Sequence, residues 1–255
     1  CPLTGAELGP AFDLLTYLNR GGLPAVYLSE SPDDELRHYT KLYLKDEIQA
    51  EALVRRLDHF VRFLDVAAVQ SGEELNYEGI ASDAGVPART VAGFFEVLVD
   101  TLVGFLLPAY TKTKLRKAIK RSKFYLFDVG VGGAMARRGR VAEGSELFGK
   151  ALEHFVIQEV RAYLSYKRRD LPLCYWRSTT QQEVDLVVGD EMAVEIKGTS
   201  QVGPRHLSGL KALREERQVR KFTVVSCDPI VRQVDSIRLV PWSRFLDELW
   251  SDRLF

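Results

Sequence analysis

The chain has 255 residues with 35 basic and 35 acidic side chains and 46% hydrophobic residues, a composition that excludes a disordered protein and confines any nucleic-acid contact to local clusters of charge. Its length predicts two compact units, at ~100 to 200 residues per domain. Three scattered cysteines, Cys1, Cys174 and Cys227, exclude a disulfide framework or a zinc site. No apolar run approaches the ~18 residues of a membrane span, so a cytoplasmic protein with no membrane partner is expected.

The opening Cys1-Pro-Leu-Thr-Gly-Ala has none of the basic, apolar and small-residue order of a signal peptide, and without an initial Met it reads as the start of a fragment. No Gly-x4-Gly-Lys-Ser/Thr run is present to cradle a nucleotide. Residues 1–45 carry turn punctuation at Gly21-Gly22-Leu23-Pro24 and across 29–34, with a short aromatic helical piece around Tyr39 to Tyr43; they are expected to be a connecting segment. From Asp46 to Gln70, Ile48, Leu53, Leu57, Phe60, Val61, Phe63, Leu64 and Ala67 recur near the helical period, which predicts one long amphipathic helix.

Residues 76–98 read as a helix-turn-helix. Asn76 is placed to cap the first helix, Ala81 is small where two helices cross, and Gly85 supplies the positive φ of a tight turn. Pro87 suits the first turn of the second helix, whose buried face is Val91, Phe94, Phe95 and Leu98. Arg89, Thr90 and Ala92 then face outward, as on a recognition helix that enters a major groove. Val103 to Tyr110 reads as a strand. It is followed by Lys112, Lys114, Arg116, Lys117, Lys120, Arg121 and Lys123 with no acid between them, charges that suit phosphate contacts from a wing and its flank. Residues 46–123 are therefore expected to form a winged-helix DNA-binding-like domain, with Arg89, Thr90, Lys112, Lys114, Arg116, Lys117, Lys120 and Arg121 on nucleic acid. A plain helical hairpin and a solvated basic loop are the alternatives.

After Lys123 the apolar run Phe124-Tyr-Leu-Phe-Asp128-Val-Gly-Val-Gly-Gly133 gives way to the Arg-rich stretch 137–140, which marks a boundary. From there helix and strand alternate: helix about 145–168, strands 173–178, 182–188 and 192–198, helix 204–217, strands 221–227 and 236–240, helix 243–250. Residues 124–255 are expected to be an α/β domain with a mixed sheet.

The chemistry concentrates in Gln182-Glu183-Val184-Asp185-Leu186-Val187-Val188, a turn at 189–191, and Met192-Ala-Val-Glu195-Ile-Lys197. Strand alternation puts Glu195 and Lys197 on one face, and Glu183, Asp185 and Val187 on one face. A three-residue loop sets Asp185 opposite Glu195. A two-residue loop sends it to the other side of the sheet, because a one-residue slip flips every side chain. Adjacent carboxylates repel unless a cation lies between them, and their hard oxygens suit Mg²⁺ or Mn²⁺, which keeps waters and leaves room for a phosphate oxygen. Glu153 borders the apolar stripe Leu152, Phe155, Val156, Val160 and Tyr163 of the preceding helix and supplies a third acid; Glu159 is the second choice. The candidate metal ligands are Glu153, Asp185 and Glu195. The candidate catalytic residues are Asp185, Glu195 and Lys197, the lysine orienting the nucleophile or stabilising the transition state. His154 and His206 read as surface histidines, Cys174 and Cys227 as buried small hydrophobes, and Tyr175, Trp176 and Arg177 as core or as DNA contacts.

The helix acid Glu153, the strand acid Asp185 and Glu195-Ile-Lys197, in that order, resemble the PD-(D/E)xK nuclease superfamily, which includes restriction endonucleases and archaeal Holliday-junction resolvases. The resemblance implies a restriction-endonuclease-like mixed-sheet fold, metal-binding acids and a catalytic lysine; Val184 stands where the motif's name has Pro. Over the whole chain, Leu18-Asn-Arg-Gly-Gly-Leu-Pro24, Lys123-Phe-Tyr-Leu-Phe-Asp128-Val-Gly130, Phe148 to Glu153, Glu183-Val-Asp185, Glu195-Ile-Lys197 and Leu239-Val-Pro-Trp-Ser-Arg-Phe-Leu246 resemble the C-terminal portion of a prokaryotic family of AAA+ ATPases known as the DUF4143 proteins. That resemblance implies an ATPase domain before Cys1 that carries the ATP site, with this ATPase domain, DNA and further copies of the chain as partners. Three functions stay open: a Mg²⁺- or Mn²⁺-dependent deoxyribonuclease, a catalytically silent module that binds DNA or protein and regulates or recruits the parent ATPase, and an interaction platform for that ATPase.

Overall fold

A computed structural model describes residues 2–43 and 57–255; residues 46–56 of the predicted long helix, with Ile48 and Leu53, lie outside the described residues. The chain forms two compact units that interleave along the sequence: Cys1–Leu3, Ala11–Leu106 and Ser122–Val141 make the first, and Thr4–Pro10, Leu107–Arg121 and Ala142–Phe255 the second. The main crossing therefore falls after Val141, whereas the change of pattern in the sequence suggested residue 123. The apolar run from Phe124 continues the core of the first unit, where Phe124 and Leu126 pack with Phe95 and Leu98.

In the first unit the expected connecting segment is instead helical, at Leu14–Arg20, Pro24–Tyr27 and Pro32–His38. Asp13 caps the first of these through the Thr16 N–H at 2.8 Å, and Pro24 and Pro32 occupy first-turn positions, where a missing N–H costs nothing. Val26 and Leu36 pack with Val131 in a small core. Asp128, fully buried, accepts the Gly22 N–H at 2.7 Å and the Val131 N–H at 2.9 Å. This joins the Gly-Gly-Leu-Pro stretch to the helix Val129–Met135. A Cβ on Gly21 would lie 1.9 Å from Asp128 Oδ1, at a φ of +77° that side chains avoid. Burial pushes the Asp128 carboxyl up to about 6 despite its backbone donors.

Helices Leu57–Val69, Tyr77–Ala84 and Ala88–Asp100 follow. The Asn76 side chain accepts the Gly79 N–H at 3.3 Å, and Gly85 takes the left-handed conformation at φ 62° between the second and third helices. Their shared core is aromatic: Phe60 meets Phe94 edge-on at 5.1 Å and Phe63 meets Phe95 at 4.8 Å. Strands β1 (Gly104–Leu107) and β2 (Lys123–Leu126) form a two-stranded sheet. Of the residues joining them, 108–121 belong to the second unit, and the predicted strand through Tyr110 stops at Leu107.

The second unit is α/β, with a mixed six-stranded sheet in the order β3-β4-β5-β6-β8-β7. Its strands are β3 (Leu173–Arg177), β4 (Glu183–Val188), β5 (Met192–Lys197), β6 (Lys221–Ser226), β7 (Arg232–Val234) and β8 (Ile237–Pro241). β3, β4 and β5 are antiparallel neighbours, while β5, β6 and β8 run parallel. Helices Glu146–Tyr166, Ser208–Glu215 and Trp242–Trp250 pack with this sheet. β4 and β5 are buried along almost their whole length, the pattern of strands covered on both faces. The outer edge of β3 is covered by the 107–121 segment: the Tyr110 N–H reaches the Tyr175 carbonyl at 2.7 Å and the Ile119 N–H reaches that of Arg177 at 2.8 Å.

Candidate functional site

The β4–β5 hairpin turns through residues 189–191, with Gly189 at φ +52°. Its register pairs Val188 with Met192, Val187 with Ala193 and Leu186 with Val194. Continuing by one residue places Asp185 opposite Glu195, so both side chains leave the same face of the sheet. The ladder ends just before this pair. There Asp185 Oδ2 accepts the Ile196 N–H at 2.7 Å, a side-chain carboxylate standing in for the missing strand carbonyl.

Lys197 lies two residues beyond Glu195 and returns to the same face. Its Nζ is 2.7 Å from Glu195 Oε1 and 3.3 Å from Asp185 Oδ2. Asp185 is only 6% exposed and Glu195 only 7%, so their mutual repulsion is poorly screened by water. Burial, then the charge of Asp185, and more weakly that of Glu153, hold the Glu195 carboxyl well above its usual range, against the opposing pull of Lys197. Burial alone lowers the Lys197 ammonium, but Asp185 and Glu195 outweigh it and hold the amine above its ordinary value. Glu195 Oε2 is buried and has no hydrogen-bond partner among the described residues.

Glu153 is half-buried on the helix Glu146–Tyr166 and near enough to Glu195 to act on it as a like charge. Asp185 and Glu195 thus share one ammonium while Glu153 adds a further like charge near Glu195. Among the described residues no group of three or more His, Cys, Asp or Glu side chains is already drawn together to hold a metal ion. The oxygens drawn to Lys197 are those of Asp185 and Glu195, hard donors of the kind that suits Mg²⁺ or Mn²⁺. Glu159, the second choice, serves elsewhere: it accepts the Gly5 N–H and the Trp250 Nε1–H, both at 2.8 Å, and burial pushes it up to about 7.

Other expectations are corrected. His154 is buried, 3% exposed, because it falls on the inner side of a long helix covered by the fold. His206, half-buried, accepts the Gly203 N–H at 3.1 Å and lies close enough to Lys197 for that charge to add to the lowering of its pKa, after burial and Arg205. No spacing in the sequence connected the two. Cys174 and Cys227 are only half-buried. Tyr175 and Trp176 are fully buried, which assigns them to the core.

The basic run divides. Lys112 pairs with Asp190 at 2.7 Å, and Arg116 pairs with Glu215 and lies 3.6 Å from Glu216. The Glu216 carboxylate accepts three successive main-chain N–H groups, Lys114 at 2.7 Å, Leu115 at 2.8 Å and Arg116 at 2.9 Å, a closed anion nest. Lys123 is buried. Lys114, Lys117, Lys120 and Arg121 are exposed and take no ion-pair partner among the described residues. Arg89 is exposed and Thr90 half-buried at the start of the helix Ala88–Asp100. They belong to the first unit, and Lys112 to Arg121 of the basic run to the second.

A family model described as "Domain of unknown function (DUF8612)" matches residues 11–141, just over half of the chain. A second, "Domain of unknown function (DUF4143)", matches residues 148–245, which contain Glu153, Asp185, Glu195 and Lys197. No curated protein matches the chain, and no solved structure matches it. Among the described residues no helix is long and apolar enough to cross a membrane.

Proposed function

The chain belongs to the family of the domain of unknown function DUF8612, and we propose that its second unit, outside most of that match, is a PD-(D/E)xK nuclease-like domain that hydrolyses DNA phosphodiesters with Mg²⁺ or Mn²⁺. The carrying observation is the meeting of Asp185, Glu195 and Lys197 on one face of the β4–β5 hairpin, with Lys197 Nζ within 3.3 Å of both carboxylates. Asp185 and Glu195, joined by Glu153, are the residues that would hold the metal ion, and the partnerless Glu195 Oε2 fits a metal-facing oxygen. When bound, such an ion lowers the pKa of a coordinated water and neutralises charge on the scissile phosphate. Asp185 is held in place by the Ile196 N–H. Lys197, kept cationic by its two neighbours, is positioned to orient the nucleophile and stabilise the phosphorane-like charge.

Helices Leu57–Val69, Tyr77–Ala84 and Ala88–Asp100 together with the two-stranded β1–β2 sheet support a winged-helix-like reading, with Arg89 and Thr90, at the start of Ala88–Asp100, as the DNA-facing residues. On the resemblance to the DUF4143 proteins, an ATPase domain is proposed as a partner that would bring the ATP site these residues lack. A second reading, a silent DNA- or protein-binding module that regulates such an ATPase, is favoured by one observation: Lys197 already lies against both carboxylates as an internal cation.

The deciding assay incubates the chain with branched, single-stranded and duplex DNA, with and without Mn²⁺, beside Asp185→Ala and Lys197→Ala. Mn²⁺-dependent strand cleavage is expected, reduced about 100-fold or more in both variants. DNA left intact by the wild type under every condition, or cut equally by Asp185→Ala, overturns the nuclease reading in favour of the silent module.

A further inference from the structure

Resting on the nuclease-like reading of the acid cluster, we propose that Lys117, Lys120 and Arg121 form the contact surface for the phosphate backbone of the nucleic acid, laid along the outer edge of β3 beside that cluster. The segment is held against the sheet at both ends. The Thr179 N–H bonds to the Lys117 carbonyl at 3.0 Å and the Ile119 N–H to that of Arg177 at 2.8 Å; the Tyr175 hydroxyl bonds to the Arg121 carbonyl at 2.7 Å. Residues 117–119 therefore run antiparallel to 177–179, in line with the antiparallel bridge of Ala118 to Ser178, while Pro108 and Tyr110 bond the main chain of Tyr175. On its other side β3 pairs with β4, Trp176 with Val184 and Arg177 with Glu183, two residues short of Asp185. Two strand spacings of ~4.8 Å thus separate the basic segment from β4, about 10 Å. At ~3.4 Å of duplex axis per phosphate on one strand, that gap corresponds to about three phosphates.

Charge separates this edge from the rest of the run. Lys112 and Arg116 are consumed by Asp190, Glu215 and Glu216, whereas Lys117, Lys120 and Arg121 are exposed without an ion pair among the described residues. The Glu216 clasp on the main chain at 114–116 fixes the approach of the segment, so the cations are presented from a fixed edge. An acid cluster repels a polyanion, and a chain of phosphates that must pass it needs positive charge at its side. An acidic protein surface has no such reason to choose this edge over another, which favours nucleic acid.

The test measures binding of the whole chain to a fluorescein-labelled 20-nucleotide single strand and its duplex by anisotropy, without divalent metal, across a salt series. Lys117→Gln/Lys120→Gln/Arg121→Gln is compared with Lys112→Gln and Asp185→Ala, each checked by circular dichroism. The triple variant is expected to bind at least about 10-fold more weakly at 0.1 M salt and to flatten the salt slope by about 2 to 3. Lys112→Gln should bind as the wild type does, and Asp185→Ala, which removes a repelling carboxylate, no more weakly than the wild type. A triple variant that binds like the wild type, a loss shared equally by Lys112→Gln, or no DNA binding by the wild type overturns the proposal. Because metal is left out, a chain that fails to cut DNA but shows the expected loss refutes the nuclease reading and leaves the basic edge standing. Unchanged binding beside intact Mn²⁺-dependent cleavage does the reverse.

Discussion

Glu195 is the residue on which the site turns. One of its oxygens bonds to Lys197 at 2.7 Å and the other is buried with no partner. An unsatisfied buried acceptor costs about 1–3 kcal/mol, which a bound cation would recover. Mn²⁺ is therefore expected to stabilise the wild-type chain, by about 2.7 kcal/mol at a hundredfold excess over its Kd. Glu195→Gln should lose that gain while keeping its fold. All three tryptophans, Trp176, Trp242 and Trp250, lie in the second unit, so the Tm read from their fluorescence reports this unit. A Glu195→Gln chain that gains as many degrees from Mn²⁺ as the wild type would show that the ion does not bind through Glu195. The residue types of the site were legible in the sequence, but their convergence was not. It depends on whether residues 189–191 make a two- or three-residue loop, and the Gly-Asp-Glu turn is compatible with both.

At the scale of elements, the buried carboxylate of Asp128 ties a loop to a helix and makes that tie pH-dependent. Its folded-state pKa is raised from 3.8 to about 6, so the folded chain holds the proton more tightly than the unfolded chain. The linked stability is complete below the unfolded value, falls as pH rises through about 6, and is level above it. By linkage the fall is about 3 kcal/mol. Asp128→Asn cannot titrate and leaves an amide facing N–H donors from Gly22 and Val131. It should lower stability overall and remove this share of the slope between pH 4 and 7, measured as urea midpoints by far-UV circular dichroism. The share due to Glu159, raised to about 7, remains. An unchanged slope would mean that Asp128 is charged throughout. These motifs could be seen in the sequence as turn signals, whereas the helices around them could not. Leu14–Arg20 and Pro32–His38 span about two turns each, too few for a 3.6-residue period to emerge, and are set by their caps and prolines. β7, three residues long, was missed for the same reason.

For the whole molecule, the interleaving of units decides what can be cut from the chain. The two family matches divide near residues 141 and 148, which invites expression of 142–255 alone. That fragment would lack 107–121, a segment whose role was hidden in the sequence because its partners Asp190, Glu215 and Glu216 lie more than seventy residues away. Three consequences follow from the bonds it makes. The main-chain groups of Tyr175, Arg177 and Thr179 lose their partners, leaving β3 as a bare edge able to pair with another chain. Glu216, whose side chain is fully buried, loses the main-chain donors that satisfy it. Tyr110 leaves the core it shares with Trp176 and Val187. Residues 142–255 alone are therefore expected to aggregate or melt at least about 10 °C below the intact chain, at about 2–4 °C per kcal/mol. A chain in which 107–121 is joined by a short Gly/Ser linker ahead of 142 should recover most of the loss. Size-exclusion chromatography and thermal melts distinguish the outcomes: a monomeric 142–255 fragment with the Tm of the full chain would show that the segment only decorates the sheet, while rescue by the linked segment would show that it completes it.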